Sequence, residues 1–271
     1  MIYCNIKGGL GNMLFQIVAT KSMAKDLNTD CSIPNLNEYL VFLNEETTHN
    51  PILTHSLEYM EYLDLFKNIK TVGPENKNIP VHRFPFNYVN YSLPTNSDFF
   101  IDGFFQSEKY FVHNRAAILE WMKIPTKINE IIKEKYSDIL TKNATSIHVR
   151  RGDYLKFPDY HFVQTLDYFM NGVEFLKSHT DVFVVFSDDI QWCKDNFKMD
   201  NVIFVENEKD YVELYLMSLC KHNVTSNSSF SWWGAWLNDN SNKIVVGPRN
   251  WFGPRCGEPT FDILPNNWIK F

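Results

Sequence analysis

The stretch ATSIHVRRGDYL, Ala144 to Leu155, decides the fold. Its first six residues read as a β-strand, and successive strand side chains point to opposite faces. Two arginines follow at once, with Asp153 two residues beyond Arg151. In a chain of net charge −6, that pair is a local concentration of positive charge. Alternation puts His148 and Arg150 on one side, Val149 and Arg151 on the other. Arg150 then reaches a ligand beside His148, and Arg151 turns to Asp153 to brace the loop. A planar guanidinium suits bidentate binding of phosphate oxygens. The plainer alternative is two surface arginines with a nearby counter-ion.

Downstream the rhythm is regular. Val182–Phe186, Val202–Val205 and Lys243–Val246 read as strands, with a further segment at 223–226. Phe162, Val163, Leu166, Phe169, Met170 and Val173 mark one face of a helix. A short helix carries Trp192, Cys193 and Phe197, and two more cover 211–222 and 230–238. Strands alternating with helices imply an α/β fold, a parallel sheet covered on both faces. Such sheets bind ligands beyond the carboxyl ends of their strands.

At the other end, Ile2–Ile6 reads as a strand and Gly8-Gly9-Leu10-Gly11-Asn12 as a tight loop. Leu14, Phe15, Val18, Ala19, Met23 and Leu27 then recur at helical spacing up to Asn28. Residues 34–98, rich in Asn, Pro and aromatics, have no clean period and read as mixed helices and loops. The chain divides near Pro125 to Asn143 into two lobes, 1–140 and 141–271.

Composition narrows the function classes. Hydrophobic residues are 44% and charged residues 21%, ordinary for a folded protein. The acidic balance argues against a nucleic-acid partner. Five cysteines without a CxxC pair point to reduced thiols rather than a disulfide framework or zinc. There is no signal-peptide pattern, and no window approaches the roughly 20 apolar residues of a membrane span. The expectation is a cytoplasmic protein, with a peripheral place at a membrane left open.

Three further blocks carry chemistry. Ser187-Asp188-Asp189 follows an apolar strand; it can hold a metal on a sugar diphosphate, bind the arginine loop or a nucleoside, or cap a helix. Metal is disfavoured, because the nearby arginines would repel a dication. Thr225 to Ser231 offers hydroxyl and amide groups before a helix, an anion seat or a plain helix cap. Trp232, Trp233 and Trp236 behind it read as packing. Gly9-Leu10-Gly11 lacks a third glycine for a dinucleotide fingerprint, yet exposes backbone N–H groups at a helix start. Charge and N–H donors around one crevice suit a departing diphosphate, which points to a nucleotide-sugar transferase.

Four blocks, Gly8–Gln16, His148–Tyr154, Phe186–Asp189 and Asn227–Leu237, together resemble the family 11 α-1,2-fucosyltransferases. The resemblance implies a GT-B-like fold, two Rossmann-like lobes facing across a cleft. It places the acceptor on the N-terminal lobe and the donor on the C-terminal one. It further implies GDP-L-fucose as co-substrate, inversion, and no metal or other cofactor. The partners are then a nucleotide-sugar donor and an oligosaccharide or lipid-linked glycan ending in galactose. Arg150, Asp153 and His148 become the catalytic candidates, with Asp159 and His161 as further candidate bases. Donor contacts fall to Gly9, Gly11, Asn12, Arg150, Arg151, Asp188, Asp189, Glu213, Asn227, Ser228, Ser229, Phe230 and Ser231. Glu213 stands where relatives carry an aspartate, and Met13 replaces a glutamine after Gly-Asn. Residues 34–110 and 154–162 would set the acceptor. The rival readings are a metal-dependent transferase using Asp188-Asp189 and a non-catalytic glycan-binding module, the latter prompted by 15% aromatic residues.

Overall fold

A computed structural model of the chain describes residues 1–37, 66 and 68–271. Part of the 34–98 stretch expected to hold mixed helices and loops, 38–65 and 67, therefore lies outside the described residues, while 68–98 is loop and turn apart from the strand Val81–Arg83. The chain separates into two compact units, Met1–Lys123 with Pro259–Pro265, and Ile124–Glu258 with Asn266–Phe271.

In the first unit, β1 (Ile2–Cys4) leads through α1 (Leu10–Asp26) to β2 (Cys31–Ser32). Strands β3 (Val81–Arg83) and β4 (Phe99–Asp102) complete a parallel sheet of order β2-β1-β4-β3. Short helix α2 (Arg115–Trp121) follows. Helix α1 is buried nearly all round, from Met13 and Phe15 to Met23, because it lies between the sheet and the rest of the unit. The left-handed residue before it is Gly8, at φ +85°, while Gly9 has ordinary dihedrals as the N-cap. A Cβ on Gly8 would also lie 2.6 Å from the Asn12 amide nitrogen, so glycine is required there twice over. The returning segment 259–265 is anchored in this unit by Asp262, whose carboxylate accepts the Tyr88 backbone N–H at 2.8 Å.

Helix α3 (Thr126–Leu140) belongs to the second unit, although the division at residue 140 put it in the first lobe. Its Lys135 and Tyr136 both reach Glu208, which fastens it there. Then come β5 (Ala144–Val149), α4 (Leu166–Leu176), β6 (Val182–Ser187), α5 (Ile190–Asn196), β7 (Val202–Phe204), α6 (Asp210–Leu219), β8 (His222–Val224), α7 (Ser229–Leu237), β9 (Val245–Gly247) and β10 (Ile269–Lys270). All pairings in this sheet are parallel, in the order β10-β9-β8-β5-β6-β7. Counted from β5, that is the 3-2-1-4-5-6 order of a doubly wound sheet, whose direction reverses between β5 and β8.

Burial explains the hydrophobicity pattern. All six residues of β5 are buried, as expected of a strand covered on both faces. Ile147 and Val149 face the core built by Phe169 and Val173 of α4, Cys193 of α5 and Phe197 just after α5. Ser146 faces the other side, where Asn223 bonds both it and the Met217 carbonyl of α6. Helix α4 starts at Leu166 rather than at Phe162, because Thr165 caps it by accepting the Tyr168 N–H. Strand β8 occupies part of the stretch read only as a segment. Its His222 and Asn223 are buried polar residues, hydrogen-bonded where an apolar strand would pack.

The three tryptophans of α7 are packing residues. Trp232, Trp233 and Trp236 are all buried, and the rings of Trp232 and Trp236 stack at 6.0 Å. Behind them Gly234 lets α7 approach α6, since a Cβ there would sit 2.9 Å from the Met217 Cβ. Gly234→Ala is expected to lose about 1–3 kcal/mol by overpacking, read from urea unfolding followed by tryptophan fluorescence. An unchanged midpoint would show that the helices part without cost.

Candidate functional site

Three strands of the second unit deliver the chemistry-bearing residues at their carboxyl ends. His148 is the last residue but one of β5, with Arg150 and Arg151 just beyond its end; Asp188 and Asp189 follow β6; Thr225 to Ser231 follow β8. These ends flank the place where the sheet order reverses, the usual seat of a ligand in such folds. Here Arg150, Arg151, Asp188, Asp189 and the 227–231 segment, all sequence-predicted donor residues, are brought together, while Glu213 lies on α6.

The arginine pairings differ from those expected. Arg150, not Arg151, meets Asp153, with Nη2 at 2.7 Å from Oδ1. Its Nη1 also lies 3.1 Å from Asp188 Oδ2. Arg151 pairs instead with Asp189, Nε to Oδ2 at 3.0 Å, and its guanidinium lies 4.0 Å over the Trp192 ring. The cause is where the strand stops. β5 ends at Val149, and the chain enters a helical turn in which Leu155 N–H reaches the Arg151 carbonyl. In such a turn residues three apart meet, so Arg150 finds Asp153. Strand alternation no longer governs the two arginines.

Asp188 is the shared node. Besides Arg150 it accepts the Arg151 backbone N–H at 2.9 Å. Gly152 makes room for it, since a Cβ there would lie 2.6 Å from Asp188 Oδ2. Burial works against the charge on Arg150, but Asp188 and then Asp153 outweigh it and raise its pKa. Asp189 does two jobs, pairing with Arg151 and capping α5 through the Trp192 N–H.

A second set of bonds ties the β5 loop to the β8 loop. His148 Nδ1 lies 2.9 Å from Ser226 Oγ, and both groups are buried. Tyr154, which the sequence reading passed over, donates its hydroxyl to the Asn227 carbonyl at 3.0 Å. The Tyr154 ring has the Arg150 guanidinium 5.6 Å from its centroid and the His161 ring stacked with it at 4.3 Å. Burial is the main cause of a lowered His161 pKa, which favours the neutral ring. Asp159 is turned to Arg255, at 3.3 Å.

The Asn227 side chain is not available as a donor contact. Its amide nitrogen donates to the carbonyls of Phe162 and Trp251, and its oxygen accepts from Gln164. Ser228 caps α7, and the Ser231 hydroxyl turns back to the Ser228 carbonyl. Ser229 and Phe230 are the more exposed members, at the first turn of α7 with its N–H groups. Glu213, in the first turn of α6, is half-buried and makes no side-chain hydrogen bond among the described residues. Burial, then Asp210, Glu208 and Asp188, push its pKa up to about 8.

Gly9, Gly11 and Asn12 lie in the first unit, at the start of α1. There Asn12 Oδ1 accepts from Gln106 Nε2 at 2.6 Å, and Gln16 clasps the loop through the Lys7 and Asn12 carbonyls. Among the described residues no cluster of His, Cys, Asp and Glu has the makings of a metal site. Nor is any helix among them long and apolar enough to cross a membrane.

Residues 75–270 match the family model described as glycosyl transferase family 11. An α-1,2-colitosyltransferase of Escherichia coli is 30% identical over 100% of this chain and 98% of its own. The O-antigen biosynthesis glycosyltransferase WbnK of the same organism is 29% identical, covering 99% and 100%. A galactoside 2-α-L-fucosyltransferase of Caenorhabditis elegans is 25% identical over 90% of this chain and 71% of its own. Among solved structures, POFUT1 in complex with GDP-fucose aligns with a TM-score of 0.56 at 13% identity, covering 91% of this chain and 97% of that one. The fold class is accordingly GT-B-like, with two Rossmann-like α/β lobes.

Two outcomes follow from this geometry. Gly152→Ala displaces the Asp188 carboxylate, so thermal stability and any activity are expected to fall together; an active variant of unchanged melting temperature would remove Asp188 from its central place. The second concerns Glu213, whose folded-state pKa is raised. The native state then holds the proton that the unfolded state releases, so stability falls as pH rises from the ordinary glutamate value to about 8. Glu213→Gln is expected to flatten melting temperature against pH between 5 and 9, and parallel curves for the two proteins would refute the buried acid.

Proposed function

The chain belongs to glycosyl transferase family 11, and on that premise we propose that it is an inverting α-1,2-fucosyltransferase, moving L-fucose from GDP-L-fucose to a galactose-ended oligosaccharide or lipid-linked glycan. The observation that carries this reading is Arg150, held at the reversal point of the sheet between two carboxylates. A guanidinium has five N–H donors in a fixed plane. Asp153 and Asp188 fix that plane, and the remaining donors, with the first-turn N–H groups of α7, suit diphosphate oxygens. As the glycosyl–phosphate bond breaks, negative charge grows on the leaving oxygen, and donors already in place lower the barrier.

In this reading Asp153 holds Arg150 and is not the proton acceptor. His148 acts at one remove, by fixing Ser226 and the loop that begins α7. The C-terminal unit takes the donor, with Glu213 near the nucleoside, and the N-terminal unit takes the acceptor. Metal independence belongs to the same proposal, since Asp188 and Asp189 are already committed to arginines. A cytoplasmic location does too, in keeping with five cysteines that are all free thiols.

A second donor follows from one comparison. The 30%-identical relative is named a colitosyltransferase, so a nucleotide-activated colitose is the alternative to GDP-L-fucose.

Offering both donors with lactose as acceptor, and reading products by mass and linkage by NMR, is the deciding assay. A fucosylated α-1,2 product formed in excess EDTA is expected. A colitosyl product alone would replace the donor, and metal-dependent transfer would revive the Asp188-Asp189 reading. Arg150→Ala, with folding checked by circular dichroism, is expected to lose roughly 100-fold or more in kcat. Retention of most activity would end the phosphate role.

A further inference from the structure

The first unit holds a polar group that the donor reading leaves unexplained. Gln106 is only 6% exposed, and its Oε1 has no hydrogen-bond partner among the described residues. Its Nε2 donates to Asn12 Oδ1 at 2.6 Å, which sets the Gln106 amide against the first turn of α1. Buried amide oxygens are normally paired, and an unpaired one calls for a cause.

The backbone is arranged to produce this placement. Phe105 has φ +52°, a left-handed conformation unusual for a bulky residue. Its ring is fully buried against Phe84 and Tyr110, at 5.1 and 5.3 Å, which fixes the residue in that conformation. The Ser107 N–H then closes on the Phe105 carbonyl at 2.7 Å, a tight turn with Gln106 at its tip. The turn follows β4, and α1 follows β1; those two strands are neighbours in the sheet. Gln106 and the start of α1 therefore meet beyond the carboxyl ends of adjacent parallel strands.

The start of α1 supplies donors. No side chain caps Gly9, and the first intrahelical bond is made by Met13 N–H to the Gly9 carbonyl. The N–H groups of Leu10, Gly11 and Asn12 thus have no intrahelical acceptor. Donors alone would suit an anion. A buried acceptor oxygen on an amide that bonds the same turn does not, because it would repel one. A hydroxyl satisfies both, accepting from an N–H and donating to a carbonyl.

We propose that Gln106 and the first turn of α1 bind a sugar hydroxyl, with Gln106 Oε1 accepting its proton in a hydrogen bond. This rests on the glycosyltransfer reading and adds a residue to it. The hydroxyl belongs either to the transferred deoxyhexose or to the acceptor galactose, and the two are separable by titration.

Calorimetric titration of the full chain with GDP, GDP-L-fucose and lactose tests the proposal, comparing wild type with Gln106→Met and Gln106→Glu. The Met variant is expected to weaken one sugar-bearing ligand about tenfold, the worth of one hydrogen bond, and to leave GDP unchanged. Loss for GDP-L-fucose alone assigns the donor sugar, and loss for lactose alone the acceptor. The Glu variant keeps an acceptor oxygen, and Asn12 can turn its amide to donate, so near-wild-type affinity is expected. Should the Met variant not fold, Gln106→Ser, which leaves room for water, is read in the same way. The inference is overturned if the variant binds all three ligands as wild type does, or loses GDP as much as GDP-L-fucose. Wild-type protein that binds lactose but transfers no fucose would overturn the fucosyl reading, and Gln106 would still be judged on lactose.

Discussion

Two guanidinium groups at the mouth of a parallel sheet repel each other and must be neutralised where water is scarce. In this protein the neutralising charge comes from the neighbouring strand, through Asp188 and Asp189, with Asp153 closing the set. Removing one partner from such a cluster leaves a poorly solvated charge, which is far costlier than the pair is stabilising. Asp188 carries most of this, since one carboxylate serves the Arg150 side chain and the Arg151 backbone. The spacing of β5 and β6 and the glycine at 152 are fitted to it, and its neighbour Asp189 caps α5. The arginine plane is thereby set before any ligand arrives.

The other half of the site is held by neutral hydrogen bonds. His148 to Ser226 and Tyr154 to Asn227 link loops that leave neighbouring strands on either side of the reversal point. Asn227 extends the link to Phe162, Gln164 and Trp251. A ligand seated there meets loops fixed from both sides, which is how donors are kept aimed without reorganising. The division of labour is clear: carboxylates orient the charges, and amides and hydroxyls orient the backbone that carries α7.

Much of the fold was legible because period and strand burial coincide. The run from Ala144 and the apolar run at Val182 were readable from side-chain pattern alone, and their ends named the ligand edge. Strand β8 was harder, because His222 and Asn223 are buried by hydrogen bonds that no hydropathy pattern reveals. The partners of Arg150 and Arg151 were misread for a different reason. Alternation holds only while the strand lasts, and it stops one residue before Arg150. A glycine two residues on was the local signal that the geometry changes there. Thr165 before Leu166 was likewise a visible cap, outweighed by the apolar Phe162 and Val163 ahead of it. Tyr154 and Gln106 gave no sign, since their roles depend on partners 73 and 94 residues away.

The return of residues 259–265 to the first unit bears on how the protein can be taken apart. Cutting after Lys123 would not yield an intact first unit, because Tyr88 would lose the Asp262 carboxylate that receives its N–H. Nor would the remainder be a clean second unit, since β10 lies beyond the returning segment and pairs with β9. A chimera meant to exchange one unit between relatives must therefore be spliced at three junctions, carrying the short C-terminal excursion along with the N-terminal body. Gene fusions made at a single crossover would graft half a unit, and poor expression of such hybrids would report the splice rather than the incompatibility of the parents.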